Sequence, residues 1–336
     1  MPTLDIFNED AFSLQSLTGT VNERPYTPGQ VSALGVFEED SVTTLTVSIE
    51  HMDGQLALVE PTERGGPGET IGDEDRKLIP FRVPHYQRDD TVMADEVQGI
   101  RAFGTESETD QVMSRVTAKT DKHTRHLDMT LEHQRVGALK GVVTSKSGKV
   151  LHDLYSTFEI AAPNAVSLEL DVDATDVGEV FGGVVHSMED DLDEVYSGIH
   201  VMAGRDLHNK LWRHKSVKET LMYHSGAVAM RNDVPDVFEL FGATWERYRT
   251  GKKASNDLGA PYIAHDEGRV FFKGVPDLFI TRFAPADYME TVNTPGLPRY
   301  AKQVPMLNGK GVDVEVQMNA ISLCTRPKTL RRVTVT

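Results

Sequence analysis

Cysteine, long apolar runs and an excess of positive charge are all missing from this sequence. It has one cysteine, Cys324, among 336 residues, which excludes an internal disulfide framework and a metal or redox site built from paired cysteines. A reducing compartment, by default the cytoplasm, is therefore expected. No apolar run approaches the roughly 20 residues that span a bilayer, and the acidic N-terminus lacks the apolar core of a signal peptide.

Negative charge dominates the chain. The formal net charge is −16, which argues against a surface that binds nucleic acid by neutralising its phosphates. It does not exclude a protein that merely encloses nucleic acid. Residues 326–336 hold four cations and no acid, whereas residues 1–40 hold seven acids against Arg24 alone. These opposite charges are either two solvated surfaces or two surfaces that meet between copies of the chain.

Residues 1–40 are predicted to form an extended arm that lies outside the core. Strong apolar patterns are few in this segment, and Pro25 and Pro28 argue against a continuous helix.

Residues 41–92 are predicted to form a long, projecting β-loop. Residues 44–49 alternate apolar and polar as a strand does, and Asp53-Gly54 favours a tight hairpin turn after them. Residues 61–77 then contain almost nothing that could be buried. Residues 78–86 favour an edge strand, since they contain two prolines. Such a loop has no core of its own, so it needs something outside its domain to pack on.

The clearest helix is predicted at residues 109–140. No proline or glycine interrupts residues 110–136, and Gly137 and Gly141 lie where a helix would stop. At about 1.5 Å per residue this helix would reach about 45 Å, long enough to act as a strut. Its apolar residues are sparse but recur at helical spacing, so we expect one narrow packed stripe and an otherwise solvated surface. The stripe consists of Val112, Val116, Leu127 and Leu131.

The rest of the chain predicts a mixed α/β domain. Residues 141–160 favour a hairpin that turns at Ser147-Gly148. Ser187 and Ser216 each begin a capping-box pattern, so a helix is expected to start at each. Strands are predicted at residues 237–240, 243–248, 270–272, 278–280 and 313–320.

Motifs for catalysis, nucleotide binding and metal binding are not found in the sequence. Residues 141–150 place six residues between Gly and Gly-Lys, where a phosphate loop needs four. Residues 171–182 have the acid density of a calcium loop but lack its central glycine and its last acid. The acids of residues 190–194 would lie in the first turn of a predicted helix and complement its dipole. His126 and His133 lack the carboxylates of a zinc site. We therefore expect no catalytic residue, cofactor or metal.

Four stretches of the sequence carry a resemblance to a known family. These stretches are Phe12–Thr18, Asp95–Gly104, Ala284–Thr294 and Cys324–Pro327. They resemble the phage major capsid protein E family, the lambda-like group of tailed-bacteriophage capsid proteins with the HK97-like fold. The resemblance spans nearly the whole chain and is most specific at residues 284–302. The residues that carry the motif are Ala284, Pro285, Ala286, Asp287, Tyr288, Glu290, Asn293, Arg326 and Pro327.

The resemblance implies an α+β fold, the HK97-like capsid fold, with four regions. These are an N-terminal arm (1–40), an extended β-loop that lies over a neighbouring subunit (41–92), a peripheral domain with the spine helix (93–169 and 283–319), and a mixed α/β axial domain (170–282 and 320–336). The implied assembly contacts at the loop tip are Glu63, Arg64, Gly65, Gly66, Pro67 and Gly68.

The resemblance also implies a function that is not enzymatic. The chain would be the major capsid protein of a tailed bacteriophage or prophage, assembling in the host cytoplasm as pentamers and hexamers. The icosahedral virion shell would enclose double-stranded DNA without sequence-specific binding and without a membrane. The implied partners are further copies, a scaffolding protein supplied in trans, a portal and, as a further candidate, a decoration protein. Two alternatives stay open: a nanocompartment shell subunit of the same fold, and a metalloenzyme using the carboxylates of residues 171–194.

The extended loop should not cross-link the mature shell covalently. Lys77 is the only lysine between residues 41 and 92, and it follows Asp73, Glu74 and Asp75, which favour its protonated form. A protonated amine does not attack a neighbouring side chain. Mature particles boiled in detergent should therefore release single chains of 37.2 kDa. A ladder of multimers that persists under reducing conditions would contradict this expectation.

Overall fold

The computed structural model describes residues 10–23, 29–52, 76–97, 108–192, 194–222, 234–249 and 261–336. The chain divides into two compact units. Unit 1 draws on residues 1–47, 82–135 and 280–322, and unit 2 draws on residues 48–81, 136–279 and 323–336.

Helices and strands are mixed along the described chain. The helices are α1 (Leu14–Glu23), α2 (Gln30–Ala33), α3 (Ala94–Val97), α4 (Glu108–Lys140), α5 (Leu154–Thr157), α6 (Val177–Glu189), α7 (Arg205–Arg213) and α8 (Lys215–Met222). The strands are β1 (Glu38–Ser41), β2 (Thr46–Met52), β3 (Arg76–Arg82), β4 (His85–Met93), β5 (Val142–Thr144), β6 (Val150–Asp153), β7 (Val166–Ser167), β8 (Gly198–Ala203), β9 (Val237–Leu240), β10 (Ala243–Arg247), β11 (Glu267–Lys273), β12 (Phe279–Phe283), β13 (Tyr300–Pro305), β14 (Gly311–Cys324) and β15 (Arg331–Thr334).

Unit 1 is built on a sheet with the order β1-β12-β14-β13, in which β4 also pairs with β14. Both β13 and β4 run antiparallel to β14. Val312, Val314, Val316 and Met318 alternate along β14 and turn one face of the strand into the core, as the period of two in a strand requires. Helices α1 and α4 supply the other side of that core.

Unit 2 is built on a six-stranded mixed sheet with the order β7-β15-β11-β8-β10-β9. Its central strand β8 is buried almost throughout. Helix α6 packs on the sheet through Phe181, whose ring centroid lies 4.9 Å from that of the fully buried Trp245. Phe238 joins this aromatic cluster beside Trp212.

Several predicted elements are confirmed. The long helix is one residue longer than expected at its start, and the hairpin at Gly148 is present, with φ of 83° at that glycine. Each of the five strands predicted between residues 237 and 320 is present, the first with the predicted ends and the other four with shifted ends. Helix α8 begins one residue before Ser216. The predicted turn at Asp53-Gly54 lies outside the described residues.

The expected extended arm is wrong for residues 10–23. This segment forms a 3-10 turn and then α1, and its residues Phe12, Leu17 and Val21 are buried in the core of unit 1. Leu17 and Val21 are four residues apart on α1, and this spacing gives the short helix a packing face.

The helix start expected at Ser187 is also wrong, because Ser187 lies in the last turn of α6. The helix begins ten residues earlier, at Val177. It is capped by Asp176, whose carboxylate accepts hydrogen bonds from the N–H groups of Gly178 and Glu179. Residues 190–192 and 194 therefore follow the C-terminus of the helix, where acids do not complement the dipole.

None of the helices in the described part of the chain is both long and apolar enough to cross a membrane.

Unit 2 should lose stability in acid through His208. The side chain of His208 is fully buried beside Phe238, and burial and then Arg247 lower its pKa from 6.5 to about 4, against the opposing effect of Asp236. The unfolded chain then binds a proton that the folded chain does not, so stability present above pH 6.5 is lost as the pH falls toward 4, by about 3 kcal/mol in total.

The pH dependence of urea unfolding measures this effect. His208→Phe should flatten the acid limb of the stability curve, whereas His126→Phe, at an exposed position on α4, should leave it unchanged. An acid limb of equal steepness in wild type and His208→Phe would contradict the assignment.

Candidate assembly site

The long helix α4 meets the core of unit 1 along a stripe of apolar side chains. Val116, Leu127 and Leu131 are buried, with 0%, 2% and 5% of their surface exposed. They pack with residues of α1 and β14. Val112 lies within α4, but its side chain is not described. The part that these residues play in assembly stays a prediction.

The surface of α4 outside this stripe is less solvated than predicted. Seven polar or charged side chains of the helix are also buried: Thr120, His123, Thr124, Asp128, Glu132, Gln134 and Arg135. Buried polar groups need partners, because desolvation without a compensating bond is costly. The partners come from several segments of unit 1.

Asp128 of α4 binds Arg299 of the segment that leads into β13. Arg299 Nε and Nη2 donate to Asp128 Oδ1 over 3.0 and 2.6 Å, and both side chains are less than one-tenth exposed. Burial raises the pKa of the Asp128 carboxyl, although Arg299 opposes that rise. Desolvation therefore outweighs the attraction of the pair, and each charge depends on the other to remain buried.

Strand β13 is also held by α1. Thr18 Oγ1 donates to the carbonyl of Ala301 and accepts from its N–H group. Asn22 Nδ2 donates to the carbonyl of Arg299 over 2.9 Å. Side chains of α1 thus take the place of a further strand at this edge.

Glu132 of α4 binds the start of α2. Its two carboxylate oxygens accept from the N–H groups of Val31 and Ser32 over 2.9 and 3.0 Å, and the Ser32 hydroxyl also donates to it. The residue before α2 is Gly29, which has no side chain to cap the helix. A Cβ at this position would lie 2.0 Å from Glu132 Cδ, so only glycine permits this approach.

The end of α4 within unit 1 is also fixed by its polar side chains. Arg135 donates to Glu39 of β1 and lies over the ring of Phe37, 5.3 Å from its centroid. Gln134 Nε2 donates to the hydroxyl of Tyr86 and to the carbonyl of Ala320.

Residues 284–302, which carry the most specific resemblance, form a turn region and the start of β13. Ala284, Ala286 and Tyr288 are buried and Asp287 is exposed. The Pro285 carbonyl accepts from Asn319 Nδ2 over 2.9 Å. These residues therefore have a structural use in fixing this region to β14.

Tyr288 and Glu290 share one partner. Lys302 Nζ lies 4.8 Å from the centroid of the Tyr288 ring and 2.8 Å from Glu290 Oε1. The Tyr288 hydroxyl donates to Glu315, and burial and that carboxylate raise the pKa of Tyr288. Asn293 adopts φ of 60°, a left-handed conformation that asparagine tolerates better than most residues.

In unit 2, the cations of the C-terminal segment bind acids of the same unit. Arg326 makes two hydrogen bonds to the Glu194 carboxylate, over 3.0 and 2.7 Å. Arg331 is buried and donates to Asp191 and to the Ser187 carbonyl, both over 2.5 Å. Pro327, which stands between these two arginines in the sequence, is also buried. A solvated surface was therefore the wrong interpretation for Arg331, which is buried, whereas Arg326 is 37% exposed and its place in a surface between copies stays a prediction.

A second charged group in unit 2 gathers around the buried Glu267. Arg269 and Arg332 each approach Glu267 Oε2 to 3.0 Å, and Lys140 Nζ lies 3.7 Å from Oε1. Burial, then the nearby Arg269 and Arg332, lower the pKa of Lys140 to about 8, although Glu267 opposes them. Sequence inspection missed this group, since Lys140, Glu267 and Arg332 are far apart along the chain.

The predicted loop-tip residues Glu63, Arg64, Gly65, Gly66, Pro67 and Gly68 lie outside the described residues. Among the residues that the structure does describe, no group of three or more His, Cys, Asp or Glu side chains is placed to hold a metal ion. His123 of α4 lies 3.3 Å from Asp90, so one histidine of the helix has a carboxylate neighbour that the sequence did not reveal.

Comparisons with known proteins give one family. The sequence profile of a family described as phage major capsid protein E matches residues 13–335. The major capsid protein of Salmonella phage Felix O1 is 25% identical, with 95% of each chain covered. The major capsid protein of Pseudomonas phage KPP10 is 28% identical, covering 95% of this chain and 96% of its own. A crystal structure described as a prophage capsid protein of E. coli CFT073 matches with a TM-score of 0.62 at 11% identity, over 96% of this chain and 99% of that one. The fold is the HK97-like capsid fold.

Loss of Arg299 should destabilise unit 1 far more than loss of the less buried Lys302 in the same segment. Arg299→Ala leaves the Asp128 charge buried without its main partner, at a cost of about 3–5 kcal/mol. Lys302→Ala removes an ion pair with the half-exposed Glu290 and the contact with the Tyr288 ring, and it leaves no buried charge without a partner, so it should cost much less. Urea unfolding of both variants at neutral pH measures the difference.

The pH dependence of the same measurement identifies the cause. In Arg299→Ala the folded-state pKa of Asp128 rises further, so protonation removes the buried charge and the cost should shrink as the pH falls. A cost that is the same at pH 4 and pH 7 would show that Arg299 acts through packing and not through its charge.

Proposed function

The chain belongs to the phage major capsid protein E family, and we propose that its copies close into a shell built of pentamers and hexamers. The protein is a major capsid protein of a tailed phage or prophage, a structural protein and a component of the virion. The observation that carries this function is the family match over residues 13–335, since it leaves no part large enough for a separate catalytic domain within that range.

Such a protein acts through contacts between its subunits and not through a chemical reaction. One chain must form rings of five and of six, so its contacts must tolerate different angles between subunits. Individual contacts can be weak, because many act together in a closed shell. The extensive internal pairing of buried charges in each unit supports this mechanism: a subunit whose own polar groups are satisfied presents a defined surface to its neighbours.

The finer assignments rest on the family resemblance. We assign residues 41–92 to an extended loop that lies over a neighbouring subunit, with contacts at Glu63 to Gly68. The peripheral domain would hold α4 and residues 283–319, and the axial domain would hold residues 170–282 with the C-terminal segment. Assembly would take place in the host cytoplasm, with scaffolding protein, portal and decoration protein as partners. The enclosed DNA would not be bound in a sequence-specific way. The net charge of −16 supports this, because it argues against a surface that neutralises DNA phosphates.

The two alternatives have less support. Nothing in the comparisons favours a cellular nanocompartment subunit or a metalloenzyme. The carboxylates proposed for the metalloenzyme also have other uses: Asp176 caps α6, and Asp191 and Glu194 bind Arg331 and Arg326.

Sedimentation and negative-stain microscopy of the chain, expressed with and without the scaffolding protein of the same phage, test the assembly. We expect capsomers or closed particles with scaffold present. Monomer alone at high concentration under that condition would contradict the capsid function.

A matched pair of variants on α4 sharpens the test. Leu131→Asp puts a charge into the buried stripe and should abolish assembly by disrupting unit 1, whereas Ala118→Asp, at an exposed position, should assemble as wild type does. Normal particle yields from Leu131→Asp would show that this face of α4 is not required.

A further inference from the structure

A large groove lies in unit 1 beside α1. Its volume is about 1500 Å³, which exceeds the roughly 300–1,000 Å³ of a small-molecule pocket. Most of the surface exposed in the groove is apolar, and Leu14, Leu131, Phe283, Leu297 and Met318 are among the residues that line it. A space of this size and chemistry fits a segment of protein chain with apolar side chains.

The rim of the groove is negatively charged. Asp10, Glu23, Glu39 and Glu290 all line it. Arg299, the cation among the lining residues, is buried against Asp128. Glu39 and Glu290 are already paired with Arg135 and Lys302. The exposed Asp10 and Glu23 therefore supply the negative charge that is left at the rim. An occupant should therefore present a cation beside its apolar side chains.

Unit 1 carries such a segment at the tip of the β13–β14 hairpin. Leu307 is fully exposed there, and Val304 is exposed beside it. Lys310 is also exposed, and its amino group makes no hydrogen bond or ion pair to another described residue. This tip, residues 304–310, is thus apolar and basic where the groove is apolar and acidic.

The tip holds a defined shape. The N–H group of Gly309 donates to the Met306 carbonyl over 2.9 Å, and that of Lys310 donates to the Asn308 side chain. Gly309 has φ of 64°, which glycine adopts without strain. An apolar side chain on an ordered turn loses little conformational entropy on binding, so the tip is suited to insertion into a preformed groove.

We propose that the groove of one subunit receives the hairpin tip of a second copy of this chain. Charge complementarity favours this occupant over an acidic one. The groove and the tip are different patches of one unit, so their contact is heterologous, the kind that closes subunits into rings. This inference rests on the proposed function, because it names one contact through which the shell assembles.

Paired cysteines test the contact directly. The native Cys324 is fully buried, so introduced cysteines are the accessible thiols of the described residues. Gly19 lines the groove, and a Cβ added there meets nothing within 4 Å. Assembled particles of the double variant Gly19→Cys, Leu307→Cys, treated with a flexible bismaleimide, should give a ladder of covalent multimers on denaturing gels.

Three controls accompany this experiment. Each single cysteine variant should give no ladder. Gly183→Cys with Leu307→Cys should give none either, because Gly183 is on α6 of unit 2, is not a lining residue of the groove and likewise has open space around it. Particles of the first pair that form normally but give no ladder, or an equal ladder from the Gly183 pair, would overturn the proposal.

Blocking variants distinguish a second copy from another occupant. Gly19→Trp should fill the groove, and Leu307→Asp should replace the apolar side chain of the tip with a charged one. Each variant should lower the assembly rate at least tenfold without changing the unfolding midpoint of the free subunit. If Gly19→Trp blocks assembly and Leu307→Asp does not, the groove holds a different partner and the proposal fails. Failure of the wild-type chain to assemble would instead contradict the proposed function.

Discussion

Unit 1 depends on the burial of charged and polar side chains along one side of α4. The apolar stripe of this helix is narrow, so the stripe alone would leave most of the helix surface without contacts to the rest of unit 1. Asp128, Glu132 and Arg135 extend the packed surface, but only because Arg299, α2 and Glu39 meet them. Removing one partner of a buried ion pair destabilises a protein far more than replacing both partners with apolar residues does. The segments that supply these partners are therefore tied to the helix and to one another.

Periodicity in the sequence predicted the elements that have one apolar and one polar face. The long helix, β14 and the strand pair β9–β10 follow such patterns, and each was found. The central strand β8 escaped notice because its Ile-His-Val-Met-Ala run is buried on both faces and shows no alternation. Helix α6 was misplaced for a related reason: Gly182 and Gly183 interrupt its pattern, and a serine-acid pair near its end imitates a helix start.

The partners of buried charges could not be predicted from the sequence. Asp128 and Arg299 are 171 positions apart, and Arg331 and Asp191 are 140 apart. Local patterns contain no information about such pairs, which only the tertiary fold brings together. The acids after α6 illustrate the point: they lie at a helix end that repels them, and arginines from the C-terminal segment compensate for that position.

The lowered pKa of Lys140 should make its amino group more reactive than that of an ordinary lysine. An ordinary surface lysine titrates near 10.4 and is almost wholly protonated at pH 8, whereas Lys140, with its pKa at about 8, is half neutral there. Its side chain is about one-quarter exposed, so a reagent can reach it. An acylating label applied briefly at pH 8 would favour Lys140 over more basic lysines. Lys140, the last residue of the long helix, should therefore react with such a label faster than an ordinary surface lysine does.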